Sequence, residues 1–478
     1  MSLERVHRLG SMLHATALVF QAALLHLLRV SEQSEFVDLK TAITVAALRS
    51  LLMLPPKSVT ATQKKLGVDP GIKGRIWVSA YTAPVSPETG VRDAMVRAIE
   101  GLKSPEMASE DIKVPDAVPV EAEWTGYRAG ATKKELPPAI PESEKYAEMM
   151  KECRSPTTIL YFHGGAYWLM DPATHRPSTK LLAKLTGGRC YSVRYRLAPQ
   201  NPFPAALMDA LASYLTLLYP PPGAFHEAVR PEHIVFAGDS AGGNLCLALT
   251  QALLELRRQD VRISWFGAER DLPLPAGVAV NSPWTDVTHS MPSCEANAPF
   301  DYLPTARFQQ RVPWPACAAW PSSPPRASFY AADALLAHPL VTVLLARDWA
   351  ACPPVYVCTG RELLADEDAA MAARLHRSGA VVVFDEFQAM PHCFALLFPR
   401  TPLARRCMDG WAGFIRRAVE EPAGLESRFT SVKSRTLEEV GIDPGKLSPF
   451  TEEEVREMVL QQIDVMTASR QPGGKAKL

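Results

Sequence analysis

His233-Ile234-Val235-Phe236-Ala237-Gly238-Asp239-Ser240-Ala241-Gly242-Gly243-Asn244-Leu245 is the stretch whose reading decides the fold. Its first half is a short apolar run rich in β-branched residues, with the length of a buried strand, and its second half opens a helix at Gly243. Between them lies Gly-x-Ser-x-Gly. In a strand-turn-helix setting, glycines two residues before and after a serine relieve crowding in a sharp turn, so that the Ser240 hydroxyl is lifted above the sheet.

Working outward, apolar runs at Thr158–Phe162, Arg189–Tyr195, Gly277–Asn281, Val355–Thr359 and Val381–Phe387 alternate with helical stretches near 176–186, 205–218, 243–258 and 366–378. Such alternation predicts a mostly parallel sheet covered by helices on both faces. In a sheet of this kind the carboxyl ends of the strands form the site. Upstream, Arg75–Val78 and Glu121–Trp124 read as leading antiparallel strands, and the charged, proline-bearing 132–145 reads as a surface loop.

Three strand ends offer partners for Ser240. After Phe162 comes His163-Gly164-Gly165-Ala166-Tyr167-Trp168, where paired glycines can turn backbone N–H groups inward to hold an oxyanion. Gly165, Ala166 and Ala241 are the candidate donors. After Thr359 comes Gly360-Arg361-Glu362-Leu363-Leu364-Ala365-Asp366-Glu367, and a carboxylate there can orient an imidazole and stabilise its cation. Asp366 is preferred, with Glu362, Glu367 and Asp368 as competitors. After Phe387, Met390-Pro391-His392-Cys393-Phe394 places a histidine on a loop, where it can accept the serine proton near neutral pH. The chain order Ser240, Asp366, His392 matches that of a hydrolytic triad on this type of sheet.

The whole chain sets outer bounds. Its 478 residues suffice for one large α/β domain with additions, and 51 basic residues balance 51 acidic ones. With no net field and no basic cluster interleaved with aromatics, nucleic-acid binding is excluded. Nine scattered cysteines without a Cys-x-x-Cys pair read as reduced thiols and point to a reducing compartment rather than secretion.

Residues 1–60 are expected to form two apolar helices, the second stopped by Pro55-Pro56. In the first, His14, Gln21, His26 and Arg29 fall on one arc, and Leu13, Ala17, Phe20, Leu24 and Leu28 share the other. A helix packed on the protein by its apolar face is the first reading, and a membrane-surface contact through 11–30 the second; a signal peptide comes last. The expected location is therefore cytoplasmic or peripheral to an intracellular membrane such as the endoplasmic reticulum. A catalytic domain is expected over 61–425, followed over 426–478 by a helical tail, with Thr451-Glu452-Glu453-Glu454 as a capping box and a disordered end from Arg470.

With these residues in place, the chain from about 157 to 400 resembles the hormone-sensitive-lipase-like esterases of the α/β-hydrolase fold. The resemblance rests on His163-Gly164-Gly165, Gly238 to Leu245, Tyr195-Arg196-Leu197-Ala198-Pro199 with Pro202-Phe203-Pro204-Ala205, Ser282-Pro283-Trp284-Thr285-Asp286, His338-Pro339-Leu340 and Asp366-Glu367. It implies hydrolysis of carboxylic esters by a Ser240, Asp366, His392 triad, with no metal and no organic cofactor. The substrate class it suggests is a short-chain or acetyl ester of an apolar alcohol. It also implies a cap built from the N-terminal segment and an insertion after the sixth strand, here about 287–340, rich in proline and in Phe300, Tyr302, Trp314, Trp320, Phe329 and Tyr330. Two departures stand out: Ala166 replaces a third glycine, and Gln200 replaces the commoner glutamate. An acyltransferase with the same triad, and a binding protein that has lost turnover, are the rival functions; the presence of His392 speaks against the second.

Overall fold

The computed structural model describes residues 3–104, 107, 112–309, 311–312 and 314–468, with side chains from residue 15 onward. Twelve strands are present among them: β1 (Ile76–Ala83), β2 (Val120–Tyr127), β3 (Thr158–Phe162), β4 (Arg189–Arg194), β5 (Ile234–Asp239), β6 (Ile263–Trp265), β7 (Ala268–Arg270), β8 (Gly277–Asn281), β9 (Val355–Gly360), β10 (Val382–Phe387), β11 (Arg428–Val432) and β12 (Glu439–Gly441). β6 and β7 form a separate two-stranded ribbon, and the other ten build one sheet in the order β1-β2-β4-β3-β5-β8-β9-β10-β11-β12. The seven strands from β4 to β11 run parallel, and the antiparallel pairs sit at the two edges.

β3, β5, β8 and β9 are buried along their whole length. That explains why they read as unbroken apolar runs rather than alternating ones. One face is covered by the helices Ala205–Leu218, Ala241–Arg258 and Ala365–Arg377, with Gly90–Leu102 packed on the first two, and the other by Pro172–Thr186 and Pro402–Glu420. On the second face the Trp411 indole N–H donates to the Ala279 carbonyl at 2.9 Å, fixing the long amphipathic helix under β8.

Three expectations change. The 132–145 loop ends earlier, because Glu142 begins a helix and its carboxylate accepts the Ala80 N–H of β1 at 2.6 Å. The region after 425 is not a separate helical tail: β11 pairs in parallel with β10, and β12 closes that edge, before the expected helix Glu452–Ala468. Its capping box is present, with the Thr451 N–H and hydroxyl each donating to Glu454 at 2.8 Å. The expected disorder from Arg470 lies outside the described residues.

The third change concerns the first helix, Leu3–Leu27, which packs against the second, Leu39–Leu52. It turns Val19, Ala22 and the imidazole of His26 inward, while Ala17, Phe20, Leu24 and Leu28 of the face expected to pack are exposed; Leu13 and His14 lie outside the described side chains. No helix among the described residues is long and apolar enough to cross a membrane. All nine cysteines are free thiols.

Candidate active site

Ser240 sits where β5 ends and the helix Ala241–Arg258 begins, with φ 53° and ψ −121°. A non-glycine residue in that region costs about 1–3 kcal/mol of strain, and neighbouring structure must hold it. Here the Ser240 N–H donates to Asn281 O at 3.0 Å, and its carbonyl accepts from Trp284 at 3.0 Å and Asn244 at 3.1 Å. Gly242 is required for proximity: a Cβ there would fall on the carbonyl oxygen of Phe162 in the neighbouring β3. Behind the serine, Asp239 accepts from the Tyr161 hydroxyl at 2.6 Å and lies 3.3 Å from His175 Nε2. Burial alone would raise its carboxyl, but the His175 imidazole and the Tyr161 hydroxyl hold it below the ordinary range. Asp239 is thus a charged brace under the elbow.

The loop after β3 carries three consecutive positive φ values, 109° at Gly165, 51° at Ala166 and 64° at Tyr167. Only the first is a glycine, so two side chains are held in a strained turn by their surroundings. The Tyr167 ring stacks on Tyr330 with centroids 3.6 Å apart, and its hydroxyl donates to Asn244 on the elbow helix at 2.7 Å. Behind the loop, the Tyr195 hydroxyl donates to His163 O at 2.6 Å and its ring stacks on the His163 imidazole. Burial, with His175 nearby, keeps His163 neutral by lowering it to about 3. Among the described residues the N–H groups of Gly165, Ala166 and Ala241 donate to no other protein group, which leaves them available to an oxyanion.

His392 follows β10 and is almost fully buried. Its Nδ1 pairs with Glu362 Oε2, not with Asp366. Glu362 lies two residues beyond the end of β9 and is fully buried, and its other oxygen accepts from the Thr359 hydroxyl at 2.8 Å and the Gly360 N–H at 3.0 Å. Burial works to raise its carboxyl, but His392 and the Ser282 hydroxyl bring it below the ordinary carboxylate range. Asp366 is in the first turn of the next helix, Ala365–Arg377, and faces the insertion: it accepts the Ser293 N–H at 2.8 Å and its own N–H donates to Ser293 Oγ at 3.1 Å. The preference for Asp366 is therefore corrected to Glu362. Four residues of turn and helix carry Asp366 away from the β10 loop, whereas a residue at the strand end still faces the adjacent strand end. Distance from the strand end was the signal in the sequence. Of the other competitors, Glu367 accepts the Asp286 N–H at 3.0 Å and so faces the start of the insertion rather than His392.

The flanking segments close over these loops. Trp168 meets Trp314 and Phe329 edge to face at 5.2 and 5.1 Å, and Trp320 meets Phe329 at 4.5 Å. All four rings are half-buried. From the N-terminal side, Gln63 on the helix Val59–Leu66 donates to the carbonyls of Trp168 and Ala198, both at 3.0 Å. Gln200 in turn donates to Gln63 Oε1 at 2.8 Å. An ionised glutamate at 200 has no proton for that bond, which gives the amide there a structural reason. No group of three or more His, Cys, Asp or Glu side chains among the described residues is placed to hold a metal.

A model of the α/β hydrolase fold matches residues 159–396, the segment that carries Ser240, Glu362, His392 and the three candidate oxyanion donors. The matched segment has the α/β-hydrolase fold, and the chain is similar to esterases and lipases of the hormone-sensitive-lipase kind. It is 29% identical over 265 residues to an acetyl-hydrolase of Streptomyces hygroscopicus, covering 55% of this chain and 77% of the relative. To human hormone-sensitive lipase it is 38% identical over 112 residues, which is 22% of this chain and 10% of the lipase. A solved esterase of the bacterial hormone-sensitive lipase family superposes with a TM-score of 0.53 at 23% identity, over 80% of this chain and 99% of the esterase. That likeness speaks for the fold alone.

Proposed function

We propose that this chain is a carboxylic-ester hydrolase that works through an acyl-enzyme on Ser240 and prefers short-chain or acetyl esters of apolar alcohols. The observation that carries the reading is the buried Glu362–His392 pair at the ends of neighbouring strands, on the same edge of the sheet as a serine held in a strained turn. His392 Nε2 takes the proton as Ser240 Oγ attacks the ester carbonyl, and Glu362 stabilises the imidazolium. The N–H groups of Gly165, Ala166 and Ala241 hold the tetrahedral oxyanion. His392 then gives its proton to the leaving alcohol, and a water repeats the sequence to release the acid. The half-buried ring cluster around Trp168 supports an apolar alcohol, and the relative named acetyl-hydrolase supports a small acyl group.

The test is hydrolysis of p-nitrophenyl acetate, butyrate, octanoate and palmitate, with a fluorophosphonate probe alongside. Acetate or butyrate is expected to turn over fastest, and the probe to add to Ser240 by peptide mass. Absence of both hydrolysis and adduct overturns the reading, and faster hydrolysis of palmitate overturns the small-acyl preference.

A pH dependence follows from the same geometry. Burial opposes the imidazolium of His392, while the Cys393 sulfur, 3.5 Å from Nε2, and Glu362 favour it, and the balance lies well above the ordinary value. The Cys393 thiol is itself pushed up to about 12 by burial, so it is uncharged near neutrality and Glu362 is the partner that holds the proton. Protonated His392 cannot accept from Ser240, so kcat/KM should fall as pH drops through a limb lying above the free imidazole value of about 6.5. Cys393→Ala should leave that limb in place. A limb at or below the free imidazole value would sink the assignment of Glu362.

A further inference from the structure

The acid and the base stand on two different loops, after β9 and β10, and something must set the spacing of those loops. Both are gripped from the insertion by one carboxylate. Asp301, fully buried, accepts the His392 N–H at 3.2 Å on Oδ1 and the Leu363 N–H at 2.8 Å on Oδ2. Its Oδ1 also accepts the Tyr302 N–H at 2.7 Å. Asn297, four residues before it, donates to the Glu362 carbonyl at 2.9 Å. The peptide group between Glu362 and Leu363 is therefore held at its oxygen by Asn297 and at its N–H by Asp301. Phe300, between them, lies under the Arg361 guanidinium at 4.1 Å. The segment from 297 to 301 touches the chain at 361, 362, 363 and 392.

The main chain of this segment is fixed from the N-terminal side. Arg49, on the helix Leu39–Leu52, donates through Nε to the Asp301 carbonyl at 2.8 Å and through Nη2 to the Pro299 carbonyl at 2.9 Å. Phe36 meets Phe300 edge to face at 6.0 Å.

We propose that Asp301 is a positioning residue for the reaction. Its two carboxylate oxygens, rigidly spaced, set the separation of the Glu362 and His392 loops, and Arg49 passes the seating of the N-terminal helices to that carboxylate. The assignment rests on the reading of Glu362 and His392 as acid and base. A carboxylate suits the task because both oxygens only accept, and both face backbone N–H groups that burial leaves without water. An amide of the same shape turns one oxygen into a donor aimed at another donor. Misplacement of a catalytic group by about 1 Å costs roughly 100-fold in rate.

Asp301→Asn should lower kcat for p-nitrophenyl acetate roughly 10- to 100-fold with KM within about twofold, and slow fluorophosphonate labelling of Ser240 while the final extent of labelling stays complete. Arg49→Met removes the hold on the Asp301 carbonyl without entering the buried site, and should lower kcat in the same direction by a smaller factor. Full kcat in Asp301→Asn overturns the assignment, as does a rise in KM at unchanged kcat, which would mark a substrate contact instead. If Asp301→Asn does not fold, Arg49→Met decides: a lower kcat at unchanged KM supports the assignment and full kcat overturns it. Wild-type hydrolysis is the control that separates this inference from the esterase reading, since a wild-type protein without turnover removes the esterase reading and a wild-type protein with turnover leaves only Asp301 in question.

Discussion

Glu362→Gln should lower kcat for a p-nitrophenyl ester by roughly four orders of magnitude, while Asp366→Asn leaves it within a few-fold of wild type. The first substitution keeps shape and volume but offers the Nδ1 side of His392 an amide that no longer selects the tautomer with Nε2 free to accept. It also removes the charge that stabilises the imidazolium in the transition state, inside a site where Glu362 is fully buried and screening by water is absent. The second acts elsewhere: Asp366 bonds Ser293 of the insertion, and its loss is expected to cost about 1 kcal/mol of stability, read as a lower melting temperature. A large loss in Asp366→Asn with full activity in Glu362→Gln would reverse the assignment of the acid.

Ser240→Ala should bring hydrolysis down by about a million-fold, to the small residue that the oxyanion donors and binding alone supply. The mutant protein should also fail to form the fluorophosphonate adduct. It should keep its fold, because the hydroxyl of Ser240 enters no bond that holds the elbow; only its N–H and carbonyl do. Alanine does retain the strained backbone, so the melting temperature should move little in either direction. The two variants differ in what survives: labelling persists, slowed, in Glu362→Gln and disappears in Ser240→Ala. Activity surviving in Ser240→Ala would place the nucleophile elsewhere.

The strands that carry this chemistry were legible because they are buried on both faces and read as continuous apolar runs. β3 and β8 begin and end where those runs do. Ser240 and His392 were legible because each lies in the loop or turn that follows such a run, Ser240 directly after β5 and His392 in the Met390–Phe394 loop after β10. Glu362 was obscured by three acidic neighbours, and residue type decides nothing among four carboxylates when position relative to the strand end does. β11 and β12 escaped because β11 carries Arg428, Thr430 and Ser431 among its five residues and β12 is a three-residue edge strand exposed throughout, so no apolar run announces them. The bridges from Arg49, Gln63 and Asp301 join residues more than 60 positions apart, and no local pattern encodes such a meeting.

The pairing of β11 with β10 has a bearing on how the molecule is made. While the chain emerges during synthesis, every element carrying Ser240, Glu362 and His392 is complete by residue 400, yet the outer side of β10 has no strand beside it until residues 428–432 follow. In that interval a row of unpaired backbone groups, flanked by the apolar Val382, Val383 and Phe384, is open to another chain. A nascent protein stalled at 425 would hold all three residues of the proposed triad and an adhesive edge at once, so the segment that follows protects the fold more than it arms it.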